Sequence, residues 1–420
     1  MTLAPLPLFS NRKEAVIALC LFIVIFCVHI GYRHAQYLDF IEDPTPYVKG
    51  RILHYYEKKS KHGKVYHVLK IQTSIYTLYT TSWKKSLHVK RDDLIGFRMV
   101  TKNISFLDYL SRSFFAPTFG IHINDISPPF SRVWQDKVRN QHESNAMQEL
   151  YGALFFASSI GKELRNDIQQ WGVSHLVAIS GFHLGVISTV GYFLLMPLYR
   201  FFQSRYFPYR NGKIEVGIFI FTILSAYLWL IGFVPSFLRA LVMSLIGFFF
   251  LIRHIRVLSF TMLSLCVMLI LAFFPHLLFS IGFWFSVMGV FYIFLYLHHF
   301  KEKFSPWQHT LFINLWVFLA MVIPVHYWFA LTSWQQFGAV LLSLLFILFY
   351  PLVALLHLFG LGNLLDSPLE TLLHVRFIGA NVQTPLWGII GYLGASILSI
   401  YNRHLAVCVI ALGIFPFFFI

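Results

Sequence analysis

Charge is scarce in this chain. Only 12% of its 420 residues are Asp, Glu, Lys or Arg, against roughly 25% in soluble domains, too little polar surface to cover a water-soluble body. Cysteine is scarcer still: Cys20, Cys27, Cys266 and Cys408 all lie in apolar runs, which argues against a disulfide framework or a thiolate metal cage. No glycine-rich run ends in Lys-Ser or Lys-Thr, so the phosphate-cradling loop of an ATP-hydrolysing motor is missing. No catalytic set, metal-ligand set or cofactor is expected.

What the chain has is apolar bulk. Hydrophobic residues make up 57% of it and Phe alone occurs 46 times, more than one core of this length could hide. The fold class that follows is a polytopic α-helical membrane protein carrying a small all-β extracytoplasmic domain. Runs near 15–30, 174–198, 214–233, 236–252, 257–275, 277–297, 308–330, 334–357, 384–400 and 403–420 give about ten helices. Residues 15–30 follow Arg12 and Lys13 without a small-residue cleavage pattern, so they read as a retained anchor. The expected domains are the anchor (1–33), the β domain (34–125), amphipathic connector helices (126–173) and a multi-helix domain (174–420).

The charge present is one-sided, 33 Lys and Arg against 18 Asp and Glu, a net +15. With the N-terminus in the cytoplasm, the inner segments collect Arg12, Lys13, Arg200, Arg205, Arg210, Lys213, Arg253, Arg256, Lys301, Lys303 and Arg376, eleven residues against Arg403 in the short outer loops. Basic loops stay inside, so the β domain is expected outside.

Between Lys49 and Arg91 lie eleven more basic residues, Lys49, Arg51, Lys58, Lys59, Lys61, Lys64, Lys70, Lys84, Lys85, Lys90 and Arg91, with Glu57 the one acid, a net +10. Val65, His67, Leu69 and Ile71 alternate with Tyr66, Val68 and Lys70 after a turn at Lys61-His62-Gly63-Lys64, which predicts a small barrel. Tyr55, Tyr56, Tyr66, Tyr76, Tyr79 and Trp83 are interleaved with the charges. Lysines neutralise phosphates and aromatic faces stack bases at ~1–3 kcal/mol each, so Lys58, Lys59, Lys61, Lys64, Lys84, Lys85, Tyr55, Tyr56 and Trp83 are candidate contacts for single-stranded nucleic acid. The competing reading, in which half the aromatics fill the core and the lysines face anionic lipid, stays open. Residues 130–172 predict two short helices, one ending near Gly161 and one over 162–171, with Leu150, Leu154 and Phe155 suggesting a helix in the membrane interface.

Residues 174–185 read Ser-His-Leu-Val-Ala-Ile-Ser-Gly-Phe-His-Leu-Gly. Such polar residues are expensive in lipid and face a bundle interior or an aqueous path. Ser180 and His183 share a helical face, which admits a nucleophile and base, although no Gly-x-Ser-Gly loop is present. Gly181, Gly185 and Ser188 form a small-residue seam, as do Gly282, Ser286 and Gly289. In a second cluster, Pro235-Ser236-Phe237-Leu238-Arg239, Arg239 either snorkels outward or offers a fixed charge to a polyanion. His326, Gln335 and Gln336 add polar groups at membrane depth or its edge.

These clusters, in this order, resemble the ComEC family of bacterial DNA-uptake proteins. Its pattern His-Leu-x-Ala-Ile-Ser-Gly-x-His-x-Gly is matched at His175, Leu176, Ala178, Ile179, Ser180, Gly181, His183 and Gly185; Pro-Ser-x-x-Arg-Ala-x-x-Met at Pro235, Ser236, Arg239, Ala240 and Met243; and Pro-x-x-Leu-x-x-x-Gly-Phe-x-x-Ser from Pro275 through Leu278, Gly282, Phe283 and Ser286. The resemblance implies an inner-membrane channel passing single-stranded DNA into the cytoplasm during natural transformation, with the basic β domain as an OB-like module. It implies a path lined by His175, Ser180, Gly181, His183, Gly185, Ser236, Arg239, Gly282 and Ser286. The partners it implies are single-stranded DNA, membrane lipid, a periplasmic DNA receptor of the ComEA type, and a cytoplasmic helicase or strand-capturing protein. Many members add a metallo-β-lactamase-like domain with a His-x-His-x-Asp-His motif; this sequence contains no such motif, so degradation of the second strand is expected to belong to another protein. The rival functions are an intramembrane serine hydrolase and a small-anion transporter.

Overall fold

The computed structural model describes residues 8–9, 11–59, 65–82, 93–123, 130–255 and 258–420. The chain forms two compact units, one of Phe9–Pro129 with Val267–Ile281, the other of Met1–Leu8, Phe130–Cys266 and Gly282–Ile420.

In the first unit, helix α1 (Arg12–Glu42) starts at Asn11, whose side chain accepts from the Glu14 amide at 3.0 Å. Its 31 residues reach about 46 Å, well beyond the ~30 Å of hydrocarbon. The surplus is used: Tyr37 and Phe40 pack on the β core, and the Tyr37 hydroxyl donates to the Ile104 carbonyl at 2.9 Å. One continuous helix is anchor and barrel support, so the boundary expected at residue 33 falls inside it.

Strands β1 (Tyr47–Lys59), β2 (Val65–Gln72), β3 (Thr77–Ser82) and β4 (Leu94–Met99) precede a short helix α2 (Phe106–Ser111), then β5 (Ser113–Phe115) and β6 (Thr118–Ile123). The first strand pairs antiparallel with β4 over Tyr47–Arg51 and with β2 over Arg51–Lys59. Strand β3 pairs antiparallel with β2 and parallel with β5, while β6 pairs antiparallel with β4. Because β5 and β6 follow one another, the pairings run β1-β2-β3-β5/β6-β4 and return to β1. Closing the ring removes free sheet edges. Inside it, Ile52, Leu69, Ile71, Leu78, Ile95, Phe97 and Met99 are fully buried. Gly50 lets β2 come close, since an added Cβ there would lie 2.5 Å from Ile71 Cγ2 and 3.0 Å from the Gln72 carbonyl oxygen.

The second unit holds α3 (Phe130–Arg139), α4 (Asn145–Phe156), α5 (Lys162–Gln170), α6 (Ser174–Val177), α7 (Gly181–Tyr206), α8 (Gly212–Leu230), α9 (Pro235–Ile252), the first half of α10 (Phe260–Phe273), nearly all of α11 (Ile281–Phe300), α12 (Pro306–Trp328), β7 (Leu331–Ser333), α13 (Gly338–Leu358), α14 (Asp366–His374), β8 (Gly379–Asn381), α15 (Leu386–Leu398) and α16 (Arg403–Ala411). One core joins α4, α5, α7 and α13 through Leu150, Tyr151, Leu154, Ile168, Val186, Phe346 and Val353. A second joins α7, α8 and α9 through Leu184, Ile220, Leu224, Phe237 and Leu241. A third joins α11, α12, α15 and α16 through Tyr292, Leu295, Ala320, Tyr392, Ala406 and Val409.

Two expectations change here. The connector forms three helices before α6 rather than two, and α4 is no interfacial helix: Met147 and every residue from Leu150 to Leu154 are buried. A helix enclosed on several sides has no lipid-facing stripe to show. The Arg376 guanidinium pairs with Asp167 of α5 at 2.7 Å, so Arg376 and the connector, expected on opposite faces, share one side.

Among the described residues six helices are long and apolar enough to cross a membrane: Arg12–Glu42, Gly181–Tyr206, Gly212–Leu230, Ile281–Phe300, Pro306–Trp328 and Trp334–Leu358. Ser236–Ile252, Phe260–Phe273, Leu386–Leu398 and Arg403–Phe419 are apolar but shorter. These are the spans of a multipass membrane protein; six of the ten expected spans reach full length.

Behind α16, a 3-10 segment (Leu412–Phe419) lies against α12 so closely that a Cβ on Gly413 would run into the Leu319 carbonyl oxygen. Backbone cannot step aside cheaply, so Gly413→Ala is expected to cost about 1–3 kcal/mol. Thermal unfolding of the detergent-solubilised protein reads this, and an unchanged midpoint would refute so close an approach.

Candidate functional site

The polar stretch before α7 is organised by helix-end chemistry. Ser180 is the N-cap: its hydroxyl accepts from the Phe182 amide at 3.3 Å, and its own amide donates to His183 Nδ1 at 3.3 Å. This is a capping box with His in the place usually held by Glu or Gln. A Nδ1 that accepts from backbone is not a base poised over Ser180, whose Oγ lies 3.5 Å away. The ring is fully buried, edge-on to Phe346 and Tyr350 of α13, and its Nε2 has no partner. His175 is likewise held by α13, between the Gly172 carbonyl and the Ser343 hydroxyl, each at 3.2 Å.

The second motif sits against the first. The Ser236 hydroxyl donates to the Ile179 carbonyl at 2.6 Å, and an added Cβ on Gly181 would meet Ala240 at 3.4 Å. Arg239 reaches the third motif: its Nη2 donates to Ser286 Oγ at 3.3 Å, and the Ser286 hydroxyl donates to the Gly282 carbonyl at 3.0 Å. At 6% exposure Arg239 is turned into the bundle, which overturns the snorkelling alternative. The expected seams are not continuous, since Gly185 and Gly289 both face open space. The motifs therefore form a row, α13–α7–α9–α11, with α9 in the middle. His326, Gln335 and Gln336 are spent on the β7–β8 region: His326 Nε2 meets the Thr332 hydroxyl at 2.6 Å, Gln335 donates to the Val375 carbonyl at 2.8 Å, and Gln336 donates to the Leu331 carbonyl at 2.9 Å.

A buried group that the sequence does not announce lies between α3 and α14. His142 Nδ1 is 2.9 Å from the Asp366 carboxylate, His142 Nε2 is 2.9 Å from His357 Nε2, and His357 Nδ1 is 2.6 Å from the Val353 carbonyl. A carbonyl only accepts, so His357 Nδ1 carries a proton, and each remaining contact needs one more. Three protons shared by two imidazoles and a carboxylate make a set of zero net charge, either an ion pair or its neutral tautomer. Tyr151 stacks on His142 with ring centres 4.5 Å apart. The members are separated by up to 224 positions, so no local spacing signals them.

On the barrel, Tyr56 and Lys58 of β1, Lys70 of β2 and Tyr79 of β3 share the outward face by register. Lys58 Nζ lies 5.8 Å from the centre of the Tyr56 ring and Lys70 Nζ 5.4 Å from that of Tyr79. Tyr55 faces the other way: it stacks on His67, its hydroxyl 2.7 Å from His67 Nδ1, and packs on the barrel core. Burial first, then the Glu57 carboxylate, hold that hydroxyl above its ordinary pKa, so it stays protonated. Tyr55 and the buried Tyr76 therefore leave the set of stacking candidates. Lys59 is exposed at the end of β1; Lys61, Lys64, Trp83, Lys84 and Lys85 lie outside the described residues.

Two outcomes are expected. Ser180→Ala removes an N-cap and costs about 1 kcal/mol of stability while function is retained; complete loss of function with normal membrane abundance would restore the hydrolase reading. Asp366→Asn takes the neutralising carboxylate from a buried imidazole pair and costs about 3–5 kcal/mol, seen as a lowered unfolding midpoint, whereas an unchanged midpoint would remove the triad's structural role.

The family described as Competence protein matches residues 156–420. Recombination protein 2 of Haemophilus influenzae is 30% identical over 201 residues, covering 46% of this chain and 24% of that protein. ComE operon protein 3 of Bacillus subtilis is 34% identical over 123 residues, 29% of this chain and 14% of that protein. An uncharacterized protein of Aquifex aeolicus is 27% identical over 173 residues, 40% of this chain and 37% of that protein. The matched part thus spans well under half the length of each relative, and no solved structure matches. With more than half its residues under the family match, including all three polar motifs, the chain belongs to the competence-protein family of the ComEC type.

Proposed function

We propose that this protein is a channel of the bacterial inner membrane through which one strand of DNA enters the cytoplasm during natural transformation, the barrel unit holding the strand on the extracytoplasmic side. Family membership points to DNA uptake. The observation that carries the finer reading is the outward face of β1–β2–β3, where Lys58 and Lys70 lie over Tyr56 and Tyr79. Amines meet phosphates while ring faces meet bases whatever their sequence. The β1-β2-β3-β5/β6-β4 circuit supports an OB-type barrel, a fold that binds oligonucleotides on the face of its second and third strands. Lipid is the other expected neighbour, and the receptor and helicase-type partners complete the proposal. The serine hydrolase loses its support because Ser180 and His183 are engaged as a cap.

Charge reversal at Lys58, Lys59, Lys61 and Lys64 to Glu is expected to abolish entry of fluorescent DNA into the cytoplasm while accumulation outside the inner membrane continues. Import at the normal rate, with the variant present at normal abundance, would overturn the proposal. Tyr56→Ala with Tyr79→Ala is expected to weaken single-strand binding by ~1–3 kcal/mol per stacked base lost, read by titration of the full-length protein; wild-type affinity would assign these rings to packing alone.

A further inference from the structure

Among the described residues, Arg239 is the only Lys or Arg that is buried. Its guanidinium offers five donors, of which Nη2 makes one long bond to a neutral hydroxyl at 3.3 Å and Nε makes none. The Lys and Arg ion pairs of the described residues are Arg210 with Glu215 and Arg376 with Asp167; Arg239 has no carboxylate. A buried cation without a counter-ion is unfavourable, and Ser286, the group it touches, already donates to the Gly282 carbonyl.

The position adds to the demand. Arg239 lies early in α9, whose N-cap Val234 supplies no side-chain bond to the positive end of the helix. Helical side chains lean toward the helix start, which brings the guanidinium toward the first turn rather than away from it. The turn leading in is held in an unusual shape, with Gly232 at φ 78° and Phe233 at φ 56°, a strain that a β-less glycine bears and a phenylalanine does not. A buried cation at the start of a helix, with no acid among the described residues to answer it, describes a site for an anion that comes from outside the chain. A fixed carboxylate would hold the guanidinium permanently; its lack leaves the planar donor fork available to an oxyanion that binds and leaves.

We propose that Arg239, with the start of α9 and the Ser286 hydroxyl, is the contact for a single phosphodiester anion, the group that a polynucleotide strand and a phospholipid share. Assigning that anion to the passing strand rests on the channel reading above; the phosphodiester chemistry of the site does not.

The full-length protein in phosphatidylcholine nanodiscs, as wild type, Arg239→Lys and Arg239→Gln, is titrated with fluorescent oligothymidylate across a range of salt, and the same proteins are tested for retained phosphatidylglycerol after purification. If the strand supplies the anion, Arg239→Gln weakens binding ~10-fold or more and lowers the slope of log affinity against log salt by about 0.7, one phosphate contact on a single strand, with Arg239→Lys keeping most of the slope. If lipid supplies it, the slope is unchanged and Arg239→Gln loses bound phosphatidylglycerol. Either result supports a phosphodiester contact; Arg239→Gln that retains both wild-type slope and wild-type lipid overturns it. The ligand-free unfolding midpoint is a second check: removing an unanswered charge is expected to raise it, and a fall would make Arg239 a structural residue. A wild type that binds no strand at all would defeat the channel reading, while the lipid measurement would still decide the site.

Discussion

Hydrocarbon supplies no hydrogen-bond partners, so every polar group carried into the helical unit has to find its partner inside the protein. That constraint explains most of what the motif residues do. Ser180 and His183 close the first turn of α7, Ser236 ties α9 to the end of α6, and His326 with the two glutamines secures the β7–β8 pairing. The same rule gives the exceptions their meaning. A buried guanidinium with one weak bond is a demand left unmet by the fold, and it stands where the second and third motifs meet.

The barrel unit solves a different problem. It has to present charge to water while staying fixed to a membrane helix, and α1 achieves both by running past the bilayer until Tyr37 and Phe40 reach the β core. Strand alternation then sorts the side chains. On β1, Tyr55 is drawn toward the interior and His67, whereas its neighbour Tyr56 points outward beside Lys58. On the same face Lys70 of β2 stands over Tyr79 of β3.

Much of this was legible in the chain itself. The apolar runs, the basic segment 49–91 and the strand alternation around Val65–Ile71 predict helices and a barrel because each rests on a local period that neighbours enforce. The three polar motifs are legible for the same reason. The failures share a cause as well. The enclosed α4 reads as an interfacial helix because burial on several sides leaves no stripe, and Arg376 is set opposite the connector because its partner Asp167 lies 209 positions away. The glycine pattern at Gly185 and Gly289 has the spacing of a packing seam, yet among the described residues nothing comes within 4 Å of an added Cβ at either.

Composition and period by themselves determined that this chain lives in a membrane, where its basic excess falls, and which family its motifs belong to, since those properties need only neighbours in sequence. Tertiary structure alone decided which polar residues are spent on holding helices and which are left over. The His142–His357–Asp366 set assembles only when α13 and α14 fold back on the connector. Arg239 becomes an unanswered charge only once α9 has α7 on one side and α11 on the other, because satisfaction of a polar group is a property of its surroundings and not of its place in the chain.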